Sequence, residues 1–151
     1  MRREEVILIS GTSRGLGAHL RASLVAKGHV VYGSSRRADV SDAYELELDV
    51  TKPEDCQSAV AQVIEREGRV DALINNAASH LLGAAIETSE AELRGQLELN
   101  FFGAVHLTQA VLRSSMIARR SGRIINISSI GGRLATPFTS AYSASKFALE
   151  G

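Results

Sequence analysis

The first regular pattern in the chain is "VILIS", Val6–Ser10, an apolar run that ends against a glycine. Apolar residues at consecutive positions, without alternation, predict a strand buried on both faces. A helical period follows. Leu16, Leu20 and Leu24 fall on one stripe and Gly28 closes it. "HVVYGSS" (29–35) and "YELELDV" (44–50) read as the second and third strands. The connection between them is close to the roughly ten-residue minimum of a parallel crossover, so any helix there is a stub. "TKPEDCQSAVAQVIEREG" (51–68) is the next helix, with Thr51 and Glu54 in capping-box positions, Pro53 in the first turn and Gly68 at the end. Cys56, Ala59, Val60, Val63 and Ile64 form its apolar face, which makes Cys56 a small buried residue and not a reactive thiol. "VDALINNAA" (70–78) is the fourth strand. A long helix runs from Ser89, which pairs with Glu92 as a second capping box, to about Ala118. "GRIINISS" (122–129) is the fifth strand, and a last helix begins near Ser140.

Strands alternating with helices at this spacing imply an α/β fold: a Rossmann-like, doubly wound parallel sheet with five strands in this chain. No repeat, linker or low-complexity tract divides it, so 1–151 reads as one domain or part of one.

Composition narrows the function classes. Seventeen basic and 17 acidic side chains give zero formal charge, which offers no electrostatic argument for nucleic acid or an anionic membrane surface. No apolar run is long enough to span a bilayer, and "MRREEVILIS" lacks the core and cleavage site of a signal peptide. The single cysteine excludes an intrachain disulfide and any cysteine-based metal spacing, and a cytoplasmic, reducing compartment is the expectation. The four histidines form no local pair, so no metal site is expected.

The candidate chemistry starts where the first strand meets the first helix, in "SGTSRGLG". Gly11, Gly15 and Gly17 permit positive φ and close approach of a phosphate to the backbone, and the helix N-terminus offers free N–H groups. Ser13, Arg14 and Leu16 complete this loop as cofactor-binding candidates. The end of the second strand is where an NAD site usually carries an acid for the ribose 2′-hydroxyl. Here it reads Ser34-Ser35-Arg36-Arg37, with no acid before Asp39. Arg14, Arg36 and Arg37, with Ser35, suit a 2′-phosphate, so NADP is expected ahead of NAD.

With "SGTSRGLG", "DVT" (49–51), "NNAA" (75–78), the asparagine of "LELNFFG", "NISS" and "YSASK" in order, the chain resembles the short-chain dehydrogenase/reductase family along its whole length. The resemblance implies a catalytic tetrad of Asn100, Ser129, Tyr142 and Lys146. Ser129 is preferred to Ser128 because it lies thirteen residues before Tyr142. It also implies that Asp49 and Val50 hold the adenine, that Asn76 and Ala77 line the nicotinamide ribose, that Asn75 braces the sheet, and that Tyr142 and Lys146 also touch the cofactor. The usual N-N-A-G ends here in Ala78, which is strained if that position needs positive φ.

The chemistry implied is interconversion of a carbonyl and a secondary alcohol by hydride transfer. A free tyrosine, with a pKa near 10, is a poor base at neutral pH, but a lysine at i+4 on the same helix face favours the phenolate. Ser129 would hydrogen-bond the substrate oxygen, and Asn100 would hold a water linking the lysine to solvent. Family members continue past the Tyr–Lys helix, into two further strands and the cover of the substrate pocket. Two readings therefore stand: an NADP-preferring oxidoreductase on a small carbonyl or alcohol, homodimeric or homotetrameric at full length, or a catalytically incompetent nucleotide-binding fragment. His80, Leu81, Leu82, Leu134 and Phe138 are pocket positions that favour no one compound.

Overall fold

In a computed structural model, residues 4–39 and 41–151 are described; residues 1–3, at the start of the expected domain, and 40 lie outside the described residues. Five strands, β1 (Val6–Ser10), β2 (Val30–Ser35), β3 (Glu45–Glu47), β4 (Ala72–Asn75) and β5 (Arg123–Asn126), form one parallel sheet in the order β3-β2-β1-β4-β5. The chain winds outward from β1 through β2 to β3, then crosses back to β4 and on to β5. β1 and β4 thus flank the point where the winding direction reverses, the place where open α/β sheets form their ligand crevice. Among the described residues β5 pairs only with β4 and is an edge.

Helices cover both faces. On one side β1 and β2 send Leu8 and Tyr32 against α2 (Pro53–Glu67) and the long helix, where Cys56, Val60, Val63, Leu107 and Val111 are all fully buried. Each such aliphatic side chain contributes about 1.5–3 kcal/mol of burial. On the other side Ile7, Ile9, Val31 and Ile74 pack under Leu20 and Leu24 of α1 (Gly15–Val25). Leu16 does not join that stripe; it is half-exposed at the start of α1.

Two local expectations are corrected. Thr51 does not cap α2: Lys52 is the N-cap with no side-chain bond, and Thr51 turns instead to Asp49 Oδ1, which accepts its N–H at 3.0 Å and its hydroxyl at 2.7 Å. Pro53 at the first helical position needs no N–H partner, so the missing cap is tolerated. The long helix is one rod with two wide turns. α3 (Glu90–Leu97) leads into a π-helical turn (Glu98–Phe102), then α4 (Gly103–Val111), a second π-turn (Leu112–Met116) and α5 (Ile117–Arg119). Gln96, Asn100, Gly103 and Leu107 form the buried face of this rod at ordinary helical spacing, while Leu97, Phe101 and Ala104 are only half-buried. The Ser89–Glu92 capping box is present in both directions. No helix follows β2 among the described residues before β3. α6 (Ser140–Glu150) follows a short 3₁₀ turn (Ile130–Gly132).

Candidate active site

The carboxyl ends of β1, β2 and β4 all open on one edge of the sheet. β1 runs into Gly11 at φ +75°, and Gly15 at φ +60° opens α1. Arg14, at the N-cap, makes no side-chain capping bond, so the first-turn N–H groups of α1 are left for another partner. Gly17 serves a different need. A Cβ there would stand 2.2 Å from the Gly11 carbonyl oxygen and 2.6 Å from Asn76 Nδ2. The loop is stitched to the segment after β4: Asn76 Nδ2 donates to the carbonyls of Ser10 (3.0 Å) and Gly11 (2.9 Å). Ser10 Oγ accepts the N–H groups of Asn76 and Ala77, both at 3.0 Å.

Between these segments lies a cleft of about 640 Å³, well inside the 300–1,000 Å³ range of small-molecule sites. Gly11, Ser13, Arg14, Gly15, Leu16, Gly17, Ser35, Arg36, Asp49, Val50, Asn76 and Ala77 all line it. Arg37 does not; its carbonyl accepts the Ser35 hydroxyl at 2.9 Å. Asp39 is also turned away, taking the Ser41 N–H and hydroxyl on Oδ1. Partial burial pushes the Asp49 carboxyl up, but its Thr51 bonds, with Lys52 and Arg36 nearby, outweigh this and hold it below the ordinary carboxylate value. Ala78 is not at positive φ, so the alanine in "NNAA" carries no backbone strain.

Ser79 and His80 also line the cleft, whereas Asn100, Ser129, Tyr142 and Lys146 do not; Tyr142 adjoins it through His80. The His80 ring meets the Tyr142 ring in a T-shaped contact, centroids 4.1 Å apart. Ser129 Oγ accepts the Gly131 N–H at 3.1 Å, and a Cβ added at Gly131 would sit 3.1 Å from Tyr142 Cε1 and 3.5 Å from that same oxygen. Lys146 is buried, and its Nζ donates to the Ile127 carbonyl at 2.8 Å; burial pushes its pKa below the ordinary lysine value. Asn100 lies in the first π-turn. Its Nδ2 donates to Ser145 Oγ at 2.9 Å, and Ser145 Oγ donates to the Tyr142 carbonyl at 2.6 Å. Asn75 bridges Thr108 (3.0 Å) and Asn126 (2.8 Å), tying β4 to β5 and to α4.

The family model described as short chain dehydrogenase matches residues 5–151. The chain belongs to that family. It is 45% identical over 149 residues to the 3-ketodihydrosphingosine reductase of Bacteroides thetaiotaomicron, covering 97% of this chain and 55% of that protein. Against dehydrogenase/reductase SDR family member 7B of Bos taurus it is 34% identical, covering 98% and 51%. Among solved structures, a short-chain dehydrogenase from Streptomyces avermitilis superposes with a TM-score of 0.91 at 42% identity, covering 98% of this chain and 58% of that one. ElxO with NADP bound gives 0.89 at 25% identity, covering 97% and 64%. The chain spans about half the length of the curated relatives it matches.

Within this short-chain dehydrogenase fold, several site residues carry no motif of their own. Ser10 is the polar end of an apolar strand, and that break in the pattern is its only signal. Thr12 donates to Glu45 Oε1 at 2.9 Å, and Glu45 pairs with Arg21 at 3.3 Å, anchoring the glycine loop to β3. Gln96 lies four residues before Asn100 on a buried helix face, where a polar residue needs a reason. Leu48 had none to offer, while His80, one of the expected pocket positions, does line the cleft. Among the described residues no helix is long and apolar enough to cross a membrane.

Proposed function

We propose that the protein is an NADP-preferring oxidoreductase that interconverts a carbonyl and a secondary alcohol. The observation that carries this is the cleft that opens from the glycine loop to His80, whose ring lies against that of Tyr142. The residues fit a dinucleotide. A Cβ at Gly11 or Gly17 would fill the cradle, the start of α1 has no side-chain cap, and Arg14 and Arg36 supply positive charge on the wall. Arg14 and Arg36 would hold a 2′-phosphate, while Asp39 is engaged with Ser41 and offers no acid to a 2′-hydroxyl. Asp49 and Val50 would hold the adenine, and Asn76 and Ala77 the nicotinamide ribose. When bound, NADPH supplies the hydride.

The chain's own groups manage the proton. Tyr142 gives its phenolic proton to the substrate oxygen in reduction and takes it back in oxidation. Ser129 Oγ already accepts from the Gly131 N–H, so its own hydrogen is free to donate to that oxygen as charge develops. The Lys146 ammonium is fixed on the Ile127 carbonyl, one helical turn along α6 from Tyr142. Asn100 joins the long helix to α6 through Ser145.

Tyr142→Phe should lower turnover of NADPH with carbonyl substrates by at least about 10²-fold while NADPH still quenches or enhances fluorescence on binding. Turnover within a few-fold of the parent would sink the role given to Tyr142. The partial coverage of the relatives favours a second reading: these 151 residues bind NADP without turning anything over. NADPH binding without turnover in both the parent and Tyr142→Phe would support that reading.

A further inference from the structure

Two buried amides on the long helix grip the loop that follows β4. Gln96 and Asn100 are four residues apart on one helix face and are 6% and 2% exposed. Asn100 closes a ring with the Ser79 backbone: Oδ1 accepts the N–H and Nδ2 donates to the carbonyl, both at 3.0 Å. Gln96 Nε2 donates to Ser79 Oγ at 2.6 Å, and Gln96 Oε1 accepts the Leu81 N–H at 3.2 Å. The four bonds bracket the one residue between Ser79 and Leu81, which is His80. A buried amide is costly unless both ends are used, and here each end of each amide is spent on this loop. The exposed ring of His80 lies against Tyr142 with centroids 4.1 Å apart and planes at 62°, an edge contact of the kind that aromatic pairs favour. Tyr142 itself sits at the second position after the start of α6, where the helix backbone fixes its Cα but leaves its ring to be oriented by neighbours.

We propose that His80 and Gln96 are positioning residues for Tyr142. The long helix holds the loop, the loop holds His80, and the imidazole ring holds the phenol in the orientation from which it exchanges its proton with substrate. This rests on the reading of Tyr142 as the acid–base group.

The test uses tyrosine-labelled protein and ¹³C NMR. The chain has three tyrosines, so Tyr142→Phe assigns the resonance of interest. His80→Leu should shift the Tyr142 ring signals, by removing the imidazole ring current, and leave Tyr32 and Tyr44 in place. In turnover, His80→Leu should lower kcat about tenfold or more with little change in KM, as expected when a reacting group is misplaced. His80→Phe keeps an aromatic ring and should restore kcat to within about threefold of the parent. Gln96→Leu should reproduce the His80→Leu loss, and the double variant should be no worse than either, since both act through one contact. Unmoved Tyr142 signals in His80→Leu would overturn the proposal, and so would a His80→Phe variant as slow as His80→Leu. Strict additivity of the two losses would do the same. If Gln96→Leu fails to fold, the His80→Leu and His80→Phe pair decides alone. Lost turnover in Tyr142→Phe together with parental kcat in His80→Leu overturns this inference only; retained turnover in Tyr142→Phe overturns the acid–base reading beneath it.

Discussion

Gly17→Ala is the sharpest perturbation of the glycine loop, because the structure separates its cost from that of Gly15→Ala. The carbon added at position 17 would lie 2.2 Å from the Gly11 carbonyl oxygen, about 1 Å inside the closest ordinary carbon–oxygen approach. The obstacle is backbone, so it cannot swing away, and relieving the overlap costs about 1–3 kcal/mol. The same carbon displaces Asn76 Nδ2 from its 2.9 Å bond to that oxygen, worth about 1 kcal/mol more. A loss of about 2–4 kcal/mol is a large part of the 5–15 kcal/mol typical of a domain and corresponds to a Tm lower by about 5–15 °C. Gly15→Ala meets no atom within 4 Å and bears only the penalty of φ +60°, about 1–2 kcal/mol. Urea unfolding followed by circular dichroism ranks the two, and an NADPH titration at low urea reports the cradle. A Gly17→Ala protein as stable as the parent, or a Gly15→Ala protein less stable than Gly17→Ala, would refute the assignment of Gly17 to close backbone packing.

Other consequences can be measured directly. Asp71 is pushed up by partial burial, but the Val6 N–H, Arg69 and Arg119 outweigh this and bring its pKa from 3.8 to about 2. A depressed folded-state pKa stabilises the fold above the unfolded value, and that stability is lost as pH falls from about 4 through about 2. The difference is about 2 kcal/mol, which Asp71→Asn should lack in a stability–pH profile. Burial, with Asp55, Asp49 and Glu54 nearby, pushes the Cys56 thiol up to about 12. Thiol reagents at pH 8 should therefore label Cys56 only as fast as the protein opens; fast labelling in native buffer contradicts its burial. Arg36→Asp should move the ratio of NADPH to NADH affinity toward NADH by about tenfold or more; an unmoved ratio removes the case for a 2′-phosphate at this wall.

How far the site could be read without coordinates depends on how local each requirement is. The glycine loop was legible because a strand-to-helix turn imposes its residue types within a few positions, whereas the Asn75–Ala78 stretch and the Tyr142–Lys146 pair stood out only through the family resemblance. Thr51 was misread because a capping pattern cannot reveal that a carboxylate two residues back, Asp49, competes for the hydroxyl. Leu16 follows the helical stripe yet lines the cleft, since the first turn of α1 projects past the end of the sheet. Arg37 reads like Arg36, and only the course of the backbone after β2 separates them.

By itself the sequence determined the element types, the buried face of α2 and the parallel α/β class. Those follow from periodicity and from residues close in the chain, where backbone geometry leaves few choices. Tertiary structure alone decided the strand order β3-β2-β1-β4-β5, and with it the meeting of Ser10 with Asn76 across 66 positions. It also decided that Gln96 and Asn100 are buried against the loop after β4, and that this loop carries His80 to Tyr142. Such contacts join segments far apart in the chain, and their partners are chosen by packing, which no local pattern encodes.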